Sequence, residues 1–130
     1  MGSGYGGGYA PGRSSTRGLK ENHDQAARLF GTSRHGWLGQ PGRQAHVQVI
    51  RTANPEQTAN AAFNLLSQGG QIMWRDSGRV KLALFAPETS GEDMSAVTYR
   101  QISRMGDPAV DIKITGPDGF SYKIHFERER

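Results

Sequence analysis

The chain contains no cysteine, which removes disulfide staples, thiolate zinc sites and cysteine nucleophiles together. It also has no apolar run long enough to cross a bilayer or to serve as a signal peptide. Histidine is scarce. The four imidazoles, at 23, 35, 46 and 125, show neither His-x-His nor His-Glu-x-x-His spacing, and no carboxylate pair accompanies them. A zinc centre or a two-metal nuclease site therefore lacks a ligand set, and no cofactor or metal is expected. No phosphate-loop or dinucleotide glycine pattern lies beside a strand, and the Cys-x-x-Cys signature of zinc base deaminases is missing.

What the chain does have is a glycine-rich leader and a basic balance. The first eighteen residues, MGSGYGGGYAPGRSSTRG, hold seven glycines and almost nothing apolar. Such a segment cannot bury enough surface to offset its ordering entropy. Residues 1–18 read as a linker, a spacer or a cloning remnant, and residues 19–130, from Leu19 on, as one domain. A net charge of +4 and a pI near 9.8 favour an anionic partner, nucleic acid first. The plainer explanation is that small soluble domains are often mildly basic.

Helical signals come early. "KENHDQAARLFG" places Ala26, Ala27, Leu29 and Phe30 near one face, with Gly31 to end a short helix. "NPEQTANAAFNLLSQGG" is clearer: Asn54 caps, Pro55 takes the first helical position, and Gln57 stands where a capping-box partner belongs. Ala59, Ala62, Phe63 and Leu66 then follow helical spacing, and Gly69 supplies the stop. Between the two helices, "TSRHGWLGQPGRQ" predicts a loop and "HVQVIRT" a strand.

Strand signals follow in quick succession: "QIMWR" and "RVKLALF" about the Asp76-Ser77-Gly78 turn, then "SAVTYRQIS", "AVDIKIT" and "FSYKIHF". The expected fold is α+β, one or two N-terminal helices packed on a four- to five-stranded antiparallel sheet.

The last hairpin permits a register argument. Val110, Ile112 and Ile114 share one face of its first strand; Phe120, Tyr122, Ile124 and Phe126 share one face of its second. These apolar sets meet only if even numbers pair with even numbers, which requires a three- or five-residue connection, with a bulge expected at Gly119. Asp111, Lys113, Lys123, His125 and Glu127 are then left on the other face. A half-solvated sheet carries charges on its wet side whatever it does, yet an alternating histidine between Ile124 and Phe126 is an unusual choice for solubility alone.

Cleavage of a phosphodiester by its neighbouring 2′-hydroxyl suits these groups. It needs a base, an acid, and cations for the charge growing on phosphorus. An imidazole with an ordinary pKa near 6.5 serves as either proton carrier. Arg100 offers a fork for two phosphate oxygens and Lys123 a point charge beside His125. Thr98, Tyr99 and Ser103 can orient a phosphate, although alternation puts Thr98 and Arg100 on one strand face and Tyr99 and Ser103 on the other. His46 is a candidate partner for His125. Each of these, taken singly, has an ordinary structural explanation.

"VIRTANPEQTANAAFNLLSQGG", "VTYR", "GDPAVDIKI" and "YKIHF" together resemble the C-terminal toxin domains of bacterial polymorphic toxins, ribonuclease domains of contact-dependent inhibition and LXG-type secreted proteins. The resemblance spans about Val47 to Phe126 and is most specific from Val97 on. It implies a small nuclease of the barnase, EndoU, colicin and RelE type, cutting RNA, often transfer RNA, without a metal and neutralised by an immunity protein. It further implies secretion by a bacterium and delivery into the cytoplasm of target cells; a monomer is expected, although nothing in the sequence fixes the oligomeric state. Carried onto this sequence, the catalytic set is Thr98, Tyr99, Arg100, Ser103, Asp111, Lys123 and His125. Beside that set, Lys113, Arg104 and His46 are the candidates for holding substrate. The chain departs from the pattern where a run of serines is expected before "GDPAVD": only Ser103 stands there, followed by Arg104 and Met105. The alternative is a non-catalytic domain that binds nucleic acid or a protein through the same charged face.

Overall fold

The computed structural model describes residues 14–130. In chain order these form α1 (Thr16–Phe30), β1 (Gln40–Pro41), β2 (Val47–Thr52), α2 (Pro55–Leu66), β3 (Gln71–Arg75), β4 (Val80–Phe85), β5 (Ser95–Arg100), β6 (Ala109–Ile114) and β7 (Phe120–Arg128). The class is α+β, but the sheet has seven strands, not four or five, and is mixed. Its order is β1-β2-β7-β6-β5-β4-β3, with β2 parallel to β7 and every other pair antiparallel.

The connectivity explains the mixture. The expected meander is present as β3 to β7, five antiparallel strands. An odd number of alternating strands leaves β7 running the same way as β3. The chain passes from β2 through α2 to β3, at the far edge of the sheet. The returning meander then brings β7 back beside β2, parallel to it. Only α1 is N-terminal to the whole sheet; α2 is inserted between β2 and β3. Both helices lie on one face, with α2 against β5, β6 and β7.

Local chemistry sets these elements as expected for α2. Asn54 accepts a hydrogen bond from the Gln57 N–H at 3.1 Å, and Ala59, Ala62, Phe63 and Leu66 are its buried face. Helix α1 begins at Thr16, earlier than the boundary placed at Leu19. Thr16 is fully buried, its hydroxyl 2.6 Å from that of Ser95, and Ser15 bridges to Ala86. The linker reading of residues 1–13 lies outside the described residues. The buried face of α1 is also rotated from the expected one: Leu19, Asn22, His23 and Ala26 face the sheet, while Leu29 is 73 % exposed. Asn22 donates to the carbonyls of Leu66 and Gln68, both at 2.8 Å, and so satisfies the end of α2.

The β6–β7 register is the one argued above: Val110 pairs with Ile124, Ile112 with Tyr122, Ile114 with Phe120. The connection is the five residues 115–119. Its left-handed residue is Gly116, φ 107°, and not Gly119. Gly119 is required for a different reason, because a Cβ there would run into the carbonyl oxygen of Ile114.

Candidate active site on the open sheet face

Strand alternation sorts the side chains of β5, β6 and β7 into two populations. Val97, Tyr99, Val110, Ile112, Ile114, Tyr122, Ile124 and Phe126 join the helices in the core. Among the described residues, no helix lies on the opposite face. There the register draws rows across three strands: Arg100, Ala109 and His125 form one, Thr98, Asp111 and Lys123 the next, Ala96, Lys113 and Ser121 the third. Neighbouring strands stand about 4.8 Å apart, so Arg100 and His125 are roughly 10 Å apart at the backbone. Between them is only Ala109, wholly covered by its neighbours. A methyl group is all that the side chain at that position places between them.

These rows floor a cleft of about 930 Å³, lined among others by His46, Arg100, Ser103, Arg104, Asp111, Lys113, Lys123 and His125. Four cations thus meet a single carboxylate. Asp111 stands between two of them, 3.7 Å from Arg100 and 3.9 Å from Lys123. Both distances exceed a hydrogen bond, and all three groups are about one-third to one-half exposed. Pairs of this kind contribute about 0–1 kcal/mol each, so an incoming anion can take the cations from Asp111 at small cost. Lys113 is held at 3.6 Å by Asp93, from the β4–β5 loop.

Two atoms of residues that line the cleft carry more information than the charges. Ser103 Oγ and His125 Nδ1 are buried side-chain atoms with no hydrogen-bond partner in the protein. An unsatisfied buried polar group costs about 1–3 kcal/mol, and native chains seldom keep one without reason. Ser103 is 6 % exposed, in the loop joining β5 to β6. That loop is closed by a hydrogen bond from the Ser103 N–H to the Asp107 carbonyl at 3.0 Å, and another from the Gly106 N–H to the Ser103 carbonyl at 2.9 Å. Leaving the strand is what carries Ser103 to the cleft, although strict alternation would put it on Tyr99's side.

Of the residues expected to act together, Arg100, Ser103, Asp111, Lys123 and His125 are brought to one cleft, with Lys113, Arg104 and His46 on its margins. Thr98 and Tyr99 are not. Thr98 lies on the open face beside Asp111 and Leu82 but outside the cleft lining. Tyr99 faces the helices, where its hydroxyl accepts from Asn60 at 3.1 Å and burial pushes its phenol pKa up. Gln44, Ile102, Met105 and Ser121 also belong to the lining and were not anticipated. The signal for Ile102 and Met105 is in "RQISRMG", where apolar residues continue after alternation has ended.

A second histidine cluster lies on the helix side. The Leu38 N–H donates to Tyr122 Oη at 3.0 Å, and the same hydroxyl lies 2.6 Å from His23 Nε2, in hydrogen-bond contact with it. Burial lowers its pKa, against a smaller opposing effect of Asp24, and raises that of Tyr122. Trp37 stacks on Tyr122 at 4.8 Å and 4°.

Among the described residues, no group of three or more His, Asp or Glu stands together as metal ligands would, and no helix is long and apolar enough to cross a membrane. No family model matches the chain, and no curated protein or solved structure matches it at a significant level.

Proposed function

We propose that this domain is an endoribonuclease that cleaves RNA by attack of the 2′-hydroxyl on the adjacent phosphorus. The observation that carries the reading is a cleft lined together by Arg100, Lys123, Ser103 and His125, the last two each keeping a buried side-chain atom without a hydrogen-bond partner. A phosphodiester complements the exposed charges of this cleft. Its non-bridging oxygens accept from Arg100 and Lys123, and His125 exchanges a proton with the attacking or leaving oxygen. The new bond joins the 2′-oxygen to phosphorus; the bond to the 5′-oxygen breaks, and that oxygen leaves protonated. The products are a 2′,3′-cyclic phosphate and a 5′-hydroxyl end. The added negative charge on the phosphoryl oxygens falls between the two cations, which is the electrostatic stabilisation the reaction demands.

Asp111 keeps those cations at the floor of the cleft in the absence of substrate. The chemistry needs no metal ion, since side chains supply both charge and proton transfer. The resemblance to toxin domains makes transfer RNA the first substrate to try, the cytoplasm of a target cell the place of action, and an acidic immunity protein the fitting antagonist of a four-cation cleft.

The test is incubation of the purified domain with transfer RNA and total RNA in the presence of chelator. Fragments ending in cyclic phosphate are expected, together with their loss in His125→Ala. Salt-sensitive binding without fragments would instead make the cleft a nucleic-acid-binding surface.

A further inference from the structure

The cleft has walls as well as a floor, and the walls are apolar and aromatic. On the β5–β6 loop, Ile102 is 68 % exposed and Met105 74 % exposed, and both line the cleft. The loop does not leave them out by being slack. It is tied at its start by the Gln101 N–H to the Arg79 carbonyl at 2.9 Å, across its turn by Ser103, Gly106 and Asp107, and at its end by the Phe126 N–H to the Pro108 carbonyl at 3.0 Å. Two large apolar side chains held in water beside a row of cations mark a surface made for a ligand that is apolar in one part and anionic in another.

The other wall is His46. Its ring lies 5.4 Å from that of Trp37 at 34°, and Nδ1–H donates to the Ser121 carbonyl at 3.2 Å, so the imidazole is held in place while the residue stays exposed. The Lys123 N–H bonds the His46 carbonyl at 2.9 Å and joins this wall directly to the floor. From Ser121, beneath His46, to His125 is four residues of one strand, about 14 Å.

A duplex cannot use such walls, because its bases are stacked inward and only its backbone meets the protein. An unpaired strand uses all of them, with phosphates on the cations and bases against the aromatic and apolar side chains. We infer that the cleft takes an unpaired RNA segment, one base packing on Ile102 and Met105 and a neighbouring base stacking on His46. This rests on the RNA-cleavage reading for its substrate class and adds to it that the bond cut lies in a loop or single strand.

The probe is a short 2′-O-methyl RNA oligonucleotide, which cannot be cut by this route because its 2′-oxygen has no proton, used alone and annealed to its complement. The single strand is expected to bind at least tenfold more tightly than the duplex. His46→Ala, and separately the double variant Ile102→Ser with Met105→Ser, are expected to weaken single-strand binding by about fivefold to a hundredfold. The salt dependence should stay as it was, since neither change removes a cation. Equal affinity for the two forms, or full affinity in both variants, overturns the inference. Cutting of ordinary RNA alongside equal affinities would overturn this inference alone; single-strand preference with no cutting would overturn the nuclease reading alone.

Discussion

Two histidines separate the two faces of this sheet. His23, on the helix side, is buried, shares a hydrogen bond with the Tyr122 hydroxyl and has its pKa lowered by burial. His125, on the open side, is partly exposed and stands in one row with Arg100, yet its Nδ1 is buried without a partner. The first imidazole has its Nε2 partnered by a buried hydroxyl. The second keeps a buried ring nitrogen that no described residue partners. Burial alone does not distinguish them; hydrogen-bond satisfaction does.

Adjacent residues of β7 offer the largest break in this contrast. Phe126→Ala opens a cavity in the core and should cost about 3–5 kcal/mol of stability, read as a lower melting temperature. His125→Ala, one residue away, removes an unsatisfied atom and should melt no lower than the parent, while RNA cleavage falls about a hundredfold to ten-thousandfold. A His125→Ala variant that unfolds would place this histidine with His23 as a structural group. Next in size is Arg100→Ala, expected to slow cleavage about a hundredfold to a thousandfold, with Arg100→Lys recovering only part because a point charge does not reproduce the guanidinium fork. Smaller still, Asp111→Asn should tighten binding of a non-cleavable RNA oligonucleotide severalfold, since no carboxylate then competes for Arg100 and Lys123. Titration calorimetry would show it, and weaker binding would mean that Asp111 positions those cations for the ligand.

The smallest effect concerns the helix side. His23 has its folded pKa below the ordinary 6.5, so the unfolded chain takes up the proton first as pH falls. Stability is therefore whole above about 6.5 and declines below it, towards the folded pKa. His23→Gln should flatten that decline in a series of thermal melts, and an unchanged slope would assign it to other groups.

The sequence made some of this legible and hid the rest for physical reasons. The β6–β7 register followed from alternation and a five-residue connection, because a one-residue slip would have turned Ile112 and Tyr122 into water. That register alone placed Asp111, Lys123 and His125 on one surface. The parallel pairing of β2 with β7 was not legible, since the alternation in "HVQVIRT" gives a strand but not its neighbour. On β2 it is Gln48 that is buried with the core, donating to the Leu38 and Gly39 carbonyls at 3.2 Å each, while Val47 and Val49 stand beside Lys123 and His125. A polar residue facing inward inverts the usual pattern, and only the loop it ties down explains it. Tyr99 was misleading for a related reason: a phenol reads as a phosphate ligand or as a core aromatic with a wet tip, and Asn60 decides for the second.

The position of β7 within the sheet has a consequence for how such a molecule is made. The strand that carries Lys123 and His125 is the last of the seven to leave the ribosome, yet it is an interior one, bonded to β2 on one side and β6 on the other. The gap it fills stays open until nearly every described residue has been synthesised. Until β7 is made, β2 has no bond to the β3–β6 meander, and the cleft that Lys123 and His125 line has no floor.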